Sequence, residues 1–432
     1  MQVGNLFIEA RMRVSIIGTF DSGGGAARSA YRLHRGLLKL GVKSKFFTQS
    51  KRTDDPTVEC RNSHFQKFMN LIRPYLDSVP VLFYRNRDRK SLFSVAFFFV
   101  SKWVNRNIFN SDLLHLHWVE AGFISIESLK NVKCPIVWTM HDSWVFTGGC
   151  HLPDGCLKYQ EKCGKCPHLQ SSSEFDLSRI NYLRKKYFWK DLNITLVAPS
   201  NWLASCARKS SLFKNFKVEV IPNGIDTNVF KPLDKLSSRE VLGLPKESKI
   251  ILFGAVNATS DVNKGFQFIE SAMLELLKRP GMDDAKLVVF GSSIPFEEKP
   301  FSFEMHFVGR LVDDVALALL YSAADVMLVP SMQENLPNTV MEAMACGTPV
   351  VGFDIGGMPD LIDHKINGYL ANAFEVKDLA NGLLWVLGDN YHRSAISTQC
   401  RKKVVETFDL AIVANRYNKL YNELLKNNSL TS

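Results

Sequence analysis

Residues Val329–Gly352, VPSMQENLPNTVMEAMACGTPVVG, compress a strand, a loop, a helix and a second strand into twenty-four residues. An apolar run closes at Leu328 and Val329, and Pro330 and Ser331 turn the chain. Pro337 lies near the first helical position, where its missing N–H costs nothing. Met341, Ala343, Met344 and Ala345 supply the packing face, Gly347 ends the helix, and Pro349 opens a short buried strand. Glu334 falls in the loop and Glu342 inside the helix. Both can reach the space above the strand ends, where open α/β sheets bind ligands. The backbone N–H groups of Asn335, Leu336 and the first helical turn suit hydroxyl or phosphate oxygens in the same space. Complementing the helix dipole would explain either glutamate singly, but not the whole string.

The same strand–loop–helix grammar opens each half of the chain. Arg13–Gly18 is a short apolar strand, followed by a glycine-rich turn through Gly23, Gly24 and Gly25 into an amphipathic helix. The spacing is not a dinucleotide fingerprint, and a tight turn needing positive φ explains the glycines equally well. Leu113–Trp118, Pro135–Thr139, Asn193–Ala198 and Val218–Ile221 read as further strands of this half. His141 follows one of them directly, at the edge where ligands gather. His115 and His117 are given lining or packing roles only. The Pro-Asn-Gly cluster at Pro222–Gly224 is a turn. Lys249–Ala255 begins the second half, in which Lys286–Gly291, Met305–Gly309 and Asp325–Pro330 are strands.

Glu-x7-Glu running into EAMACGTPVVG resembles the donor-site signature of retaining glycosyltransferases of family 4, which have the GT-B fold, and the likeness runs from about Arg13 to about Tyr421. It implies an α/β protein of two Rossmann-like α/β/α domains facing a cleft. The N-terminal domain (12–224) would take the acceptor and the C-terminal domain (225–408) the nucleotide sugar. A terminal helix (409–432) would return toward the first domain. By motif, Glu334 with the amides of Asn335 and Leu336 would hold the transferred sugar, and Glu342 the nucleotide ribose. Lys264 of Lys264-Gly265 would meet the pyrophosphate, and Gly24 and Gly25 would approach the donor diphosphate or the acceptor. His141 of the His-Asp pair would face the sugar from the opposite side. One departure stands out. An arginine that usually precedes the lysine is replaced in the region Ala255–Asn257, so Lys264 acts alone or Arg310 compensates.

The implied activity is retaining transfer of a sugar from a nucleotide-sugar donor to a hydroxyl of a glycan or lipid-linked acceptor. Bacterial exopolysaccharide, capsule or lipopolysaccharide synthesis is the implied setting. No cofactor is required for catalysis, since no DxD-like pair stands in a convincing metal site. A catalytically inactive homologue that scaffolds polysaccharide assembly is the non-enzyme alternative, and a GT-B-fold nucleotide-sugar epimerase the alternative enzyme. The Lys-Gly context does not suggest a pyridoxal-phosphate phosphorylase.

Cys150, Cys156, Cys163 and Cys166 form C-x5-C-x6-C-x2-C within a loop at 150–168. Four soft ligands so close together make a candidate structural zinc site, with free thiols or a Cys163/Cys166 redox pair as the other readings. Nine cysteines in 432 residues are too few for a disulfide scaffold and fit a reducing cytoplasm. MQVGNLFIEARM lacks a basic segment followed by an apolar one, so it is not a signal peptide but an extension or a start-site artefact. No apolar run approaches the roughly 20 residues that span a bilayer.

The net charge of +10 is concentrated. Between Arg61 and Asn110 nine Lys/Arg face two Asp, interleaved with aromatic residues, in an insert (60–110) that reads as irregular helix-forming sequence. A solvated face is one reading. A nucleic-acid surface lacks any accompanying motif, so no nucleic-acid partner is expected. An anionic membrane surface fits the aromatic interleaving and is the reading preferred here, which places the protein on the inner face of the membrane as a peripheral component.

Overall fold

A computed structural model describes residues 12–61, 63–89, 92–97, 111–254, 260–291 and 303–431. The chain divides into two compact units. Residues up to Pro222 together with Val413 onward form the first, and Asn223–Ile412 form the second.

In the first unit seven strands make a parallel sheet: β1 (Arg13–Phe20), β2 (Lys43–Ser50), β3 (Val58–Glu59), β4 (Leu113–Leu116), β5 (Ile136–Thr139), β6 (Ile194–Ala198) and β7 (Lys217–Val220). Their order is β3-β2-β1-β4-β5-β6-β7, so the winding reverses between β1 and β4. Such a reversal opens a crevice beyond the carboxyl ends of those two strands. Alternation along β1 sends Val14 and Ile16 to one face and Ile17 to the other. Helix α1 (Gly25–Lys39) covers the first face through Leu33 and Leu37. The opposite face carries an aromatic core of Trp138, Trp144, Trp189 and Phe213, with ring centroids 5.0–6.3 Å apart between neighbours. Two more helices of this unit are α3 (Leu177–Trp189) and α4 (Asn201–Lys209), preceded in the chain by α2 (His64–Leu82).

Helix α2 is the regular part of the insert that the sequence suggested would be irregular. Ser63 caps it by accepting from the Gln66 N–H at 3.2 Å, and it runs nineteen residues despite Pro74 and Pro80. Only Gln66, Arg73, Asp77 and Val81 are buried. Phe65, Phe68, Leu71, Tyr75, Val79 and Leu82, spaced three or four apart, face solvent. Of the basic residues in this insert, Lys90, Lys102 and Arg106 lie outside the described residues, as do residues 1–11 and Ala255–Asn257.

The second unit repeats the plan. Its six strands are β8 (Ile250–Gly254), β9 (Lys286–Phe290), β10 (Met305–Gly309), β11 (Val326–Val329), β12 (Val350–Phe353) and β13 (Gly368–Ala371), in the order β10-β9-β8-β11-β12-β13, all parallel. Here the reversal falls between β8 and β11. Around the sheet lie α5 (Lys235–Val241), α6 (Phe266–Leu277), α7 (Asp314–Ala323), α8 (Asn338–Ala345), α9 (Met358–Leu361), α10 (Val376–Val386) and α11 (Asn390–Thr407). α7, α8 and α11 pack one face, and α6 and α10 the other.

Helix α12 (Leu410–Thr431) starts in the second unit and passes into the first. There Val413, Ala414, Tyr417, Leu420, Tyr421 and Leu424 are buried against the same sheet face as α1. Burial of each large apolar side chain contributes about 1.5–3 kcal/mol, so this helix is part of the first core. Among the described residues no helix is long and apolar enough to cross a membrane.

Candidate active site

At the reversal in the second unit, β11 ends at Val329 and the chain turns through Pro330 and Ser331 before α8 begins behind Pro337. Glu334 sits in that loop. Its Oε1 accepts from the Lys264 Nζ at 2.6 Å and from the Ser331 hydroxyl at 2.9 Å. Seventy residues of sequence separate the lysine from the glutamate, and the fold closes the gap. A short turn at Val262–Lys264 docks onto the Glu334 loop: Asn263 accepts from the Met332 N–H at 2.8 Å and donates its amide to the Gln333 carbonyl at 2.9 Å. Burial alone would pull the Lys264 ammonium down, and Glu334 outweighs it, leaving its pKa raised.

Two glycines make this approach feasible. Gly265 has φ +76°, and a Cβ there would lie 1.8 Å from the Pro330 carbonyl oxygen. Gly356 has φ +53°, and its Cβ would fall 2.0 Å from the Glu334 carbonyl oxygen. That same carbonyl accepts from the Gly357 N–H at 3.0 Å. Gly356→Ala therefore has to move the Glu334 loop as well as adopt a left-handed backbone. We expect it to destabilise the second unit by about 2 kcal/mol or more and to lower turnover, in thermal melts and activity assays. A melt and a rate equal to those of the wild type would refute this.

Glu342 lies one helix further in. It is 1% exposed, and its Oε2 accepts from the Tyr321 hydroxyl of α7 at 2.9 Å. Tyr321 has no motif in the sequence that marks it. Asn335 and Leu336 occupy the entry to α8 beside Glu334, with Leu336 buried. Arg310 is exposed just past the edge strand β10 and makes no hydrogen bond or ion pair among the described residues.

In the first unit the reversal gathers a different set. Gly24 is the extended N-cap of α1 and Gly25 its first residue. The loop before them is fixed by Asp21, which accepts from the backbone N–H groups of Arg52 and Thr53 and from the Thr53 hydroxyl at 2.7 Å. His141 follows β5, half-buried, with its Nε2 2.9 Å from Nδ1 of the fully buried His117. The adjacent Asp142 anchors the turn. Its Oδ2 accepts from Trp118 Nε1 at 3.0 Å and bonds His151 Nδ1 at 2.6 Å, and its Oδ1 accepts from the Trp144 N–H at 2.8 Å. Burial raises the Asp142 pKa, but His151 and these donors outweigh it and leave the carboxylate lowered. Buried Lys185 holds the following turn by donating to the carbonyls of Trp144 and Thr147 while lying 3.6 Å over the Trp144 ring.

The zinc expectation fails. Among the described residues no three His, Cys, Asp or Glu side chains are arranged to hold a metal ion. Cys150, Cys156, Cys163 and Cys166 are free thiols. Burial pushes the thiols of Cys150 and Cys166 up and that of Cys163 to about 11. His168 spends Nε2 on the Pro153 carbonyl, and His151 is committed to Asp142 and Ser94. The loop is held instead by an apolar cluster of Phe93, Val95, Cys150, Cys166, Leu169 and Leu177. The Cys166 N–H also donates to Asp176 at 2.7 Å.

Comparison with known proteins agrees with this architecture. Residues 23–229 match the family model described as Glycosyltransferase Family 4, and residues 247–389 the model described as Glycosyl transferases group 1. The chain belongs to the GT4/GT1 superfamily of GT-B-fold glycosyltransferases. It is 29% identical to an uncharacterized glycosyltransferase of Methanocaldococcus jannaschii over 70% of this chain and 77% of that one. It is 26% identical, over 76% of this chain and 80% of the relative, to WcaC of Escherichia coli K12, a candidate glycosyl transferase of colanic acid biosynthesis. In fold it resembles Anabaena HepE, solved with UDP-glucose, at TM-score 0.63 and 16% identity, covering 96% of this chain and all of that one. This glycosyltransferase therefore moves a sugar from a nucleotide-sugar donor to an acceptor.

Proposed function

We propose that the enzyme transfers a hexose, with retention of configuration, to a hydroxyl of a glycan or lipid-linked acceptor in bacterial exopolysaccharide, capsule or lipopolysaccharide synthesis. The observation that carries this reading is the Lys264–Glu334–Ser331 cluster at the β8/β11 reversal. It sets an ammonium suited to diphosphate oxygens beside a carboxylate that can accept from the hydroxyls of a sugar. Lys264 is assigned to the diphosphate and stabilises the charge that grows as the bond from C1 to the phosphate oxygen breaks. Glu334 and the amides of Asn335 and Leu336 are assigned to the sugar hydroxyls, Glu342 to the ribose, and His141 to the sugar. Gly24 and Gly25 are assigned to the diphosphate or the acceptor. The acceptor oxygen bonds to C1, and its proton passes to the leaving phosphate. WcaC, through its place in colanic acid biosynthesis, supports the polysaccharide setting. A screen of UDP-, GDP- and ADP-sugars with lipid-linked acceptors, reading nucleotide release, tests the whole reading. Turnover of none of them by pure folded enzyme would overturn it.

The acceptor's lipid partner is supported by α2. Its outward stripe of Phe65, Phe68, Leu71, Tyr75, Val79 and Leu82, 43–75% exposed, shares the helix with Lys67 and is followed in the chain by Arg85, Arg87 and Arg89. An apolar face accompanied by cations suits the interface of an anionic bilayer. The enzyme is expected to co-sediment with phosphatidylglycerol vesicles. Leu71→Glu/Tyr75→Glu should weaken that binding at least tenfold while leaving the melt unchanged. Absence of wild-type retention would remove the membrane from the account.

A further inference from the structure

His117 is assigned no role by the family motif, yet it makes the bond that orients His141. The two rings lie nearly in one plane, inclined by 24° with centroids 5.2 Å apart, and meet through nitrogens 2.9 Å apart. This is the geometry of an in-plane N–H···N bond between imidazoles. His117 itself is immobile. Its N–H donates to the Ile17 carbonyl at 2.9 Å, its carbonyl accepts from Trp138 Nε1 at 3.1 Å, and its ring packs 4.3 Å from that of His115. Both imidazoles are held neutral, because burial pulls His141 to about 4 and His117 well below its ordinary value.

Only one proton can lie between the two nitrogens, and that leaves two arrangements. If His141 donates through Nε2, then His117 carries its own proton on its Nε2. That atom is buried and has no hydrogen-bond partner among the described residues. An orphaned buried N–H is the rarer and costlier outcome, at about 1–3 kcal/mol. If His117 donates through Nδ1, its Nε2 is a bare lone pair and no donor is stranded. His141 then accepts at Nε2 and carries its proton on Nδ1.

We propose that His117 is a positioning residue that fixes His141 in the Nδ1–H tautomer, so that whatever His141 does beyond this pair it does as a donor through Nδ1. A donor is what a sugar hydroxyl or ring oxygen would meet there. This last step rests on the assignment of His141 to the sugar made above, whereas the tautomer itself does not.

The test is long-range proton–nitrogen correlation on the full chain labelled with nitrogen-15 histidine, near pH 7.5 and without substrate. His141 is expected to show a pyrrole-like Nδ1 and a pyridine-like Nε2. The reverse pattern overturns the proposal. In His117→Phe the His141 signals should move to averaged tautomer shifts, and kcat should fall about tenfold with little change in donor KM. His117→Asn, whose amide N–H stands near the place of Nδ1, should restore both. An unmoved His141 spectrum in His117→Phe also overturns the proposal. If that variant does not fold, the wild-type and His117→Asn spectra still decide. A confirmed tautomer with His141→Ala fully active would support the positioning and reject only the sugar assignment.

Discussion

Lys264→Met is expected to lower kcat/KM for the nucleotide-sugar donor by ~10²–10³, the effect of deleting one preorganised charge from the site of developing negative charge. Glu334→Gln should cost a similar amount. The reason lies in their mutual contact: the 2.6 Å ion pair is shielded, with the lysine side chain 24% and the glutamate 12% exposed. Removing either charge strands the other, so each single change carries both a direct loss and a penalty for its partner. The double variant should consequently be no worse than the more damaged single one, because neighbours that act as a unit are not additive. Steady-state kinetics on the three variants, with thermal melts to establish folding, make the comparison. Single variants within a few-fold of wild type, or a double variant whose losses multiply, would remove the pair from the chemistry.

Between pH 6.5 and 5 the first unit should lose about 2 kcal/mol of stability for each of His34 and His115. Both are fully buried at neutral pH. Burial pulls the first to about 4 and the second to about 3, with the charge of Asp55 opposing the shift at His34. His34 is bonded to the Ser44 and Thr57 hydroxyls, His115 to those of Tyr421 and Thr139, all at 2.7–2.8 Å. The sign follows from proton counts. Below pH 6.5 the unfolded chain takes up protons that the folded unit refuses until pH 4 or lower, so stability falls as pH falls. Six of the seven tryptophans precede residue 223, which makes urea titrations followed by tryptophan fluorescence a report on this unit. His34→Gln should flatten the pH dependence by about 2 kcal/mol. A midpoint constant from pH 6.5 to 5 would show that these rings are hydrated.

What the sequence disclosed was mostly local. Val329–Gly352 could be read because its strand, loop, helix and carboxylates lie within one β-α-β turn, and the spacing alone carries them. Lys264 was reached only by resemblance, since no periodicity links it to a glutamate seventy residues on. Tyr321 under Glu342, Gly356 under the Glu334 carbonyl and His117 against His141 stayed hidden for the same reason: each contact joins separate segments, and burial is what gives it meaning. The cysteine loop shows the opposite error. Spacing counts potential ligands but not their directions, and Cys150, Cys163 and Cys166 are packed among apolar side chains. The insert's charge and aromatic content pointed to a surface, but only the helix shows that its apolar residues share one side and that this side faces outward.

The placement of α12 has a consequence for biogenesis. A ribosome delivers residues 413–424 after the entire second unit, yet those residues close one face of the first sheet and supply the hydroxyls of Tyr417 and Tyr421 to Thr139 and His115. Until they emerge, the nascent first unit holds an open hydrophobic face, and the second unit can complete its own core sooner. Pulse proteolysis of stalled nascent chains should find Asn223–Ile412 resistant before Arg13–Pro222. Maturation of the earlier-made lobe thus waits on residues synthesised after the later one.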